Sequence, residues 1–207
     1  MRDHDTEQTP GPGRARRADA ERTVRAILAA AERVLSQEPG ATMERIAAEA
    51  GVARTTVHRR FASREDLVSS LTVLAAQQLE AAVLAGRPDS APPLVALHEV
   101  TAHVLRIKRT WRFAMGVRSD HPEVVRVHTD TRARCVTLFR RARDAGAVRP
   151  DVDPDWASRV YYGLIHAAAE DLAEEPAPAE LDAAAARVVD TLLTGLGAGD
   201  RTTHRAD

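Results

Sequence analysis

The sequence predicts an all-α protein, and three observations carry that prediction. Apolar residues recur three and four apart in nearly every segment, the spacing that gathers them on one side of a 3.6-residue helix. No stretch alternates with period two for long enough to bury one face of a strand. Proline, glycine and small polar residues fall between the periodic segments, where helices need caps and stops. Composition agrees, since 44% apolar and 29% charged residues over 207 positions are ordinary for a globular chain with a sizeable core.

Residues 1–18 are polar, rich in Pro and Gly, carry Arg14, Arg16 and Arg17, and read as a flexible N-terminal arm. Asp19 is then expected to cap a helix with Val24, Ile27, Leu28, Ala31 and Leu35 on one face, stopped by Pro39-Gly40. Thr42 caps a short second helix, Met43 to Ala50, which Gly51 ends by accepting the left-handed conformation. A third runs from about Arg54 to Phe61, and Ser63-Arg64-Glu65-Asp66 opens a longer fourth with Leu67, Leu71, Leu74 and Leu79 on its apolar side. By composition "GRPDSAPP", residues 86–93, is the linker, so residues 19–85 form an N-terminal domain and 94–197 a larger one. In the second domain helices are expected over about Pro93 to Lys108 and Trp111 to Arg118. A long one follows from Asp120-His121-Pro122 to Gly146, then one from Asp153-Pro154 to about Ala173, then a last one ending in "LLTGLG". Residues 198–207 read as a disordered tail.

The second and third helices are joined by Gly51-Val52-Ala53, a turn of the length that sets two helices at a steep angle in a helix-turn-helix. Ala47 is small where the helices approach, and Ile46, Val52, Val57 and Phe61 are expected to form a small core with the first helix. That leaves Arg54, Thr55, Thr56, His58, Arg59 and Arg60 mostly outward. Such a helix fits the major groove of DNA, where Arg makes bidentate bonds to guanine and Thr reaches phosphate or a thymine methyl. The competing reading is a solvated arginine face. Against it, acidic residues are absent from Arg54 through Ser63, whereas a solvated face usually mixes signs.

Charge is segregated along the chain. Formal net charge is −1, yet from Arg14 to Arg64 eleven arginines stand against Asp19, Glu21, Glu32, Glu38, Glu44 and Glu49. A basic footprint is therefore local. The lone Cys135 forms no internal disulfide, no CxxC or Cys/His spacing suits a structural zinc, and neither cofactor nor metal is called for. With no apolar leader and no uninterrupted apolar run approaching roughly 20 residues, no membrane partner is expected and the cytoplasm is the default compartment.

The stretch "MERIAAEAGVARTTVHRRFASREDLVSSL" resembles the DNA-binding segment of the tetracycline-repressor (TetR) family of bacterial transcriptional regulators, the likeness covering about residues 20–68. By that resemblance Thr56 and His58 stand where the family carries phosphate-contacting Thr and Tyr, Arg64 where a basic residue opening the fourth helix touches the backbone, and Arg54, Thr55 and Arg59 at or beside base-reading positions. His58 departs from the usual Tyr and Thr55 from the usual small residue. The resemblance implies a repressor of adjacent genes, bound to a pseudo-palindromic operator in double-stranded DNA and released by a small-molecule effector.

Two half-sites require a homodimer. The last helix carries Leu181, Val188, Val189, Leu192, Leu193 and Leu196 and its predecessor Val160, Tyr161, Leu164, Ile165 and Ala168, more apolar surface than one packed neighbour covers, so these two helices are expected to form the dimer interface. In the family the last two helices play this part. The remaining helices are expected to enclose the effector, because His98, Thr101, His128, Thr131 and Cys135 interrupt core stripes, with Leu105, Trp111, Phe113, Met115, Tyr162 and His166 nearby in helical order. Rival readings are a metal sensor using His98, His103, His121, His128 and His166, an enzyme with Cys135 as nucleophile and His128 or His166 as base, and a helix-turn-helix that binds protein. Spacing disfavours the first two: His98 and His103 are five apart, and His128 lies two helical turns from Cys135.

Overall fold

The computed structural model describes residues 12–196, and within them there are helices and no strand. The order is α1 Pro12–Gln37, α2 Met43–Glu49, α3 Arg54–Arg60, α4 Arg64–Ala85, α5 Pro93–Thr110, α6 Arg112–Gly116, α7 Pro122–Asp144, α8 Pro154–Asp171 and α9 Pro178–Leu196.

The first helix begins earlier than the sequence suggests. Asp19 is not its cap but lies inside it, its carbonyl accepting from Thr23 Oγ1 at 2.9 Å and its carboxylate from Arg22 at 3.2 Å. Residues 13–18 are mostly Arg and Ala, strong helix formers, and Pro12 suits a first helical position because its missing N–H has no partner to lose there. Arg14, Arg16 and Arg17 therefore stand on α1 rather than on a free arm, though their side chains, residues 1–11, the tail 198–207 and the side chain of Leu196 lie outside the described residues.

Elsewhere the local chemistry acts as the sequence implies. Thr42 Oγ1 accepts from Arg45 N, and Ser63 Oγ accepts from Asp66 N while Asp66 Oδ2 accepts from Ala62 N. These bonds satisfy amides that the first turns of α2 and α4 leave open. Gly51, at φ 65°, closes α2: its N–H reaches Ala48 O and that of Val52 reaches Ala47 O. Gly146, at φ 75°, ends α7 in the same conformation.

The chain divides into two compact units within α4, between Leu71 and Thr72, and not at residues 86–93. That tract is a packed turn of the second unit. A Cβ on Gly86 would lie 2.7 Å from Val100 N, Ala91 is buried, and Arg141 donates to Pro88 O and to Ala91 O. Pro and Gly serve a tight return here, with Arg87 in the left-handed region at φ 49°, rather than a loose tether.

In the first unit α2 packs on α1 and on α3, and Ile27, Leu35, Ile46, Val57, Leu67 and Leu71 are fully buried. In the second, α5 is central and packs on α6, α7, α8 and α9. Its core joins Leu79 and Val83 to Leu97, Leu105, Leu138, Phe139, Ile165 and Leu192. By length and composition α4 is apolar enough to cross a membrane, but Leu67, Leu71, Leu79 and Val83 on it are buried inside the protein.

Candidate nucleic-acid interface and effector cavities

Helix α3 is held by one face only. Val57 is its buried residue, and Phe61, just past its end, is buried as well. Arg54, Thr55, His58, Arg59 and Arg60 are exposed, and Thr56 is half-buried. Val57 and Phe61 thus anchor a helix whose other sides present donors and acceptors to solvent.

Arg54 does not hang free. Its Nε lies 2.8 Å from Glu44 Oε1 and 3.4 Å from His58 Nε2. Glu44 is itself set: its own backbone amide and the Thr42 hydroxyl, followed by Arg54 and His58, hold its carboxyl below the usual range. The hydroxyl that caps α2 therefore orders, through Glu44, an arginine on α3. Glu44 was not among the residues singled out from sequence, because ten positions of chain separate it from Arg54 and only the fold joins them.

Arg64 is half-buried and differently employed. It donates to Pro39 O at 2.5 Å and to Ala41 O at 3.5 Å, tying the start of α4 to the turn between α1 and α2. Arg60, exposed beside Arg59, adds a further charge to the α3 surface.

Of the residues expected around an effector, Thr131, Cys135, Tyr162, Met115 and His166 line one or other of two cavities of the second unit, and the rest line neither. One is apolar and small, about 30 Å³, and Thr131, Cys135 and Tyr162 line it with Val104, Leu138, Tyr161 and Ile165. Thr101 stands behind it, fully buried, its hydroxyl 2.7 Å from that of Tyr161 and 2.5 Å from Leu97 O. Burial pushes the Cys135 thiol up to about 11, only partly offset by the hydroxyl of Ser158, and holds the Tyr161 and Tyr162 phenols well above their ordinary range.

The other cavity is larger, about 590 Å³, with a wall of mixed polar and apolar residues. It takes Met115 and His166 from the expected set and adds Lys108, Arg109, Arg112 and Glu170. Leu105 is core, His98, Trp111 and Phe113 are half-buried, and none of these four lines either cavity. His128 is exposed on α7, yet partial desolvation, then the charge of Lys108, depress its imidazole below the ordinary value.

The expected interface residues are largely spoken for within one chain. Tyr161, Ile165, Ala168, Val188, Val189 and Leu192 are buried in the second unit's own core, while Val160, Leu164 and Leu193 pack on it with area left over. The reason is that α5 covers α9 and part of α8, a neighbour invisible to helix periodicity. Outward on α8 stand Trp156, 52% exposed, with the Arg159 guanidinium 5.6 Å above its ring, and Tyr162, 38% exposed. Tyr162 thus borders both the small cavity and the open face.

Among the described residues no three of His, Cys, Asp and Glu come together as a metal site. Glu99 stands 3.8 Å from His103 and Glu170 3.5 Å from His166, each one turn along its own helix.

Comparison with known proteins bears on both units. Residues 27–71 match the bacterial regulatory proteins of the tetR family, and residues 95–198 match the SbtR-like transcriptional regulator C-terminal domain. The HTH-type transcriptional repressor LfrR of Mycolicibacterium smegmatis is 34% identical over 188 residues, 89% of this chain and 94% of that protein. A crystal structure of LfrR from Mycobacterium smegmatis with proflavine superposes with a TM-score of 0.62 at 30% identity, covering 84% of this chain and 94% of LfrR. The TetR family regulator PfmR from Thermus thermophilus has the same fold, with a TM-score of 0.68 at 18% identity over 81% of this chain and 97% of its own. With the helix-turn-helix of α2 and α3, its exposed arginine surface and a second all-helical unit in place, the chain belongs to the TetR family and is a DNA-binding transcriptional regulator.

Proposed function

We propose that the chain is a homodimeric repressor, acting on DNA in the cytoplasm, which leaves a pseudo-palindromic operator when a small molecule enters the second unit. The observation that carries this reading is the face of α3: Thr55, His58, Arg59 and Arg60 are exposed and no acidic residue occurs from Arg54 through Ser63. Arg54 and Arg59 read base edges, with Thr55 beside them; Thr56 and His58 contact phosphate. Arg64 retains N–H groups beyond those given to Pro39 and Ala41, and these reach the backbone of the duplex. The dimer forms through α8 and α9, where Trp156 and Tyr162 and the residual surface of Val160, Leu164 and Leu193 supply an apolar patch.

The chain acts by binding rather than catalysis, since a thiol raised by burial is the opposite of an activated nucleophile. LfrR was crystallised with proflavine, and its overall likeness supports a small-molecule effector here as well. Ligand and operator then oppose each other with a reciprocal coupling of about 1–3 kcal/mol.

The test is a fluorescence-anisotropy titration of the full chain against the DNA upstream of its own gene, at several salt concentrations, with and without proflavine. A salt-dependent affinity well above that for unrelated duplex is expected. Equal affinity for both duplexes would sink the sequence-specific reading, and a stable monomer in light scattering at micromolar concentration would sink the dimer.

A further inference from the structure

The larger cavity of the second unit has a charge imbalance that names a ligand class. Three cationic side chains, Lys108, Arg109 and Arg112, line it against the single carboxylate of Glu170. That carboxylate already has His166 Nε2 at 3.5 Å. Arg109 commits its Nε to Ala173 O at 2.8 Å, which fixes the guanidinium and leaves its terminal N–H groups unassigned by that bond. Met115, Ala169 and Leu172 supply the apolar part of the wall.

Lys108 is the telling residue. Burial disfavours its charged form, Glu170 only partly opposing that, and its field depresses the imidazole of His128. A partly desolvated ammonium that shares its cavity with two arginines and one carboxylate is further relieved by an anion brought from solution. The cavity's 590 Å³ lies within the range of roughly 300–1,000 Å³ usual for small-molecule sites.

We infer that this cavity takes an amphipathic organic anion, its acidic head held by Lys108, Arg109 and Arg112 and its apolar body laid against Met115, Ala169 and Leu172. The inference rests on the effector reading above but adds a sign to it: proflavine, which LfrR was crystallised with, is a planar cation, and the lining described here suits the opposite charge.

Calorimetric titration of the full chain with three ten-carbon probes, decanoate, decanol and decyltrimethylammonium, isolates the head group. Decanoate should bind at least about tenfold tighter than either of the others. The Lys108→Met, Arg112→Gln double variant should lose that preference and Lys108→Arg should keep it, while operator affinity without ligand stays at the parent value and shows that each variant is folded. A cation bound as tightly as the anion, or a preference that survives neutralisation, would overturn the assignment. If proflavine releases the operator while decanoate fails to bind, the anion site is wrong and effector release stands. Decanoate binding that shows the preference but leaves operator affinity unchanged supports the anion site and removes effector release.

Discussion

Replacing Val57 by alanine separates what holds the recognition helix from what it reads. Val57 is fully buried and is the buried residue of α3, so its two methyl groups are what seats that helix on its unit. Losing them forfeits about 1.6 kcal/mol of transfer free energy, at about 0.8 kcal/mol per group. An incompletely relaxed hole adds about 1 kcal/mol, for a total of about 2–3 kcal/mol. Domains of this size carry roughly 4–10 kcal/mol, so the variant remains folded in the cold. Its melting transition should fall by roughly 8–24 °C in circular dichroism, since about 1 kcal/mol moves a small domain by about 4–8 °C. Operator affinity at 10 °C should stay within about threefold of the parent. Arg59→Ala should do the reverse, because Arg59 is exposed on the opposite side of α3. Its melt should be almost unmoved while operator affinity falls roughly ten- to a hundredfold. An unchanged melt in Val57→Ala, or a lowered one in Arg59→Ala, would refute the division of α3 into an anchor and a reading face.

Other consequences are as direct. Gly86→Ala sets a methyl group against the backbone of Val100, 2.7 Å from its N, and should destabilise the second unit by about 1–3 kcal/mol, visible as a lower urea midpoint. The Cys135 thiol, pushed up to about 11 and buried, should react with iodoacetamide at pH 8 on the order of a hundredfold more slowly than an ordinary thiol; a rate equal to that of free cysteine would contradict its placement. Arg126 bridges Glu80, Glu123 and Asp130 and holds the Glu80 and Glu123 carboxyls below their ordinary range. The unfolded chain therefore binds protons there first as pH falls, so the contribution present at pH 7 is lost on acidification through the depressed values. Arg126→Gln should melt lower than the parent at pH 7, with the gap closing towards pH 3.5. Arg54→Ala should weaken operator binding and relax preference at one base pair, by roughly tenfold, which a panel of single-base operator variants would read.

Most of the architecture was legible in the amino-acid order because local chemistry dictates it. Thr42 and Ser63 cap, Gly51 and Gly146 turn left-handed, prolines open α5, α7 and α8, and Val57 and Phe61 recur at helical spacing, all without help from distant residues. The arginine surface of α3 was equally readable, being a property of one short helix. Where the reading from sequence went astray, the deciding partner was far away in the chain. The tract of residues 86–93 looks like a linker until Gly86 meets Val100 and Arg141 reaches its carbonyls. Helix α5 covers part of the apolar stripes of α8 and α9, which periodicity does not show, and leaves Val160, Leu164 and Leu193 half-buried. Which polar residues gather around a cavity, and that Glu44 steadies Arg54 from ten positions away, depends on side chains that only the fold brings together. Periodicity records which side of a helix is apolar; only the tertiary fold decides whether its own chain or another molecule buries that side.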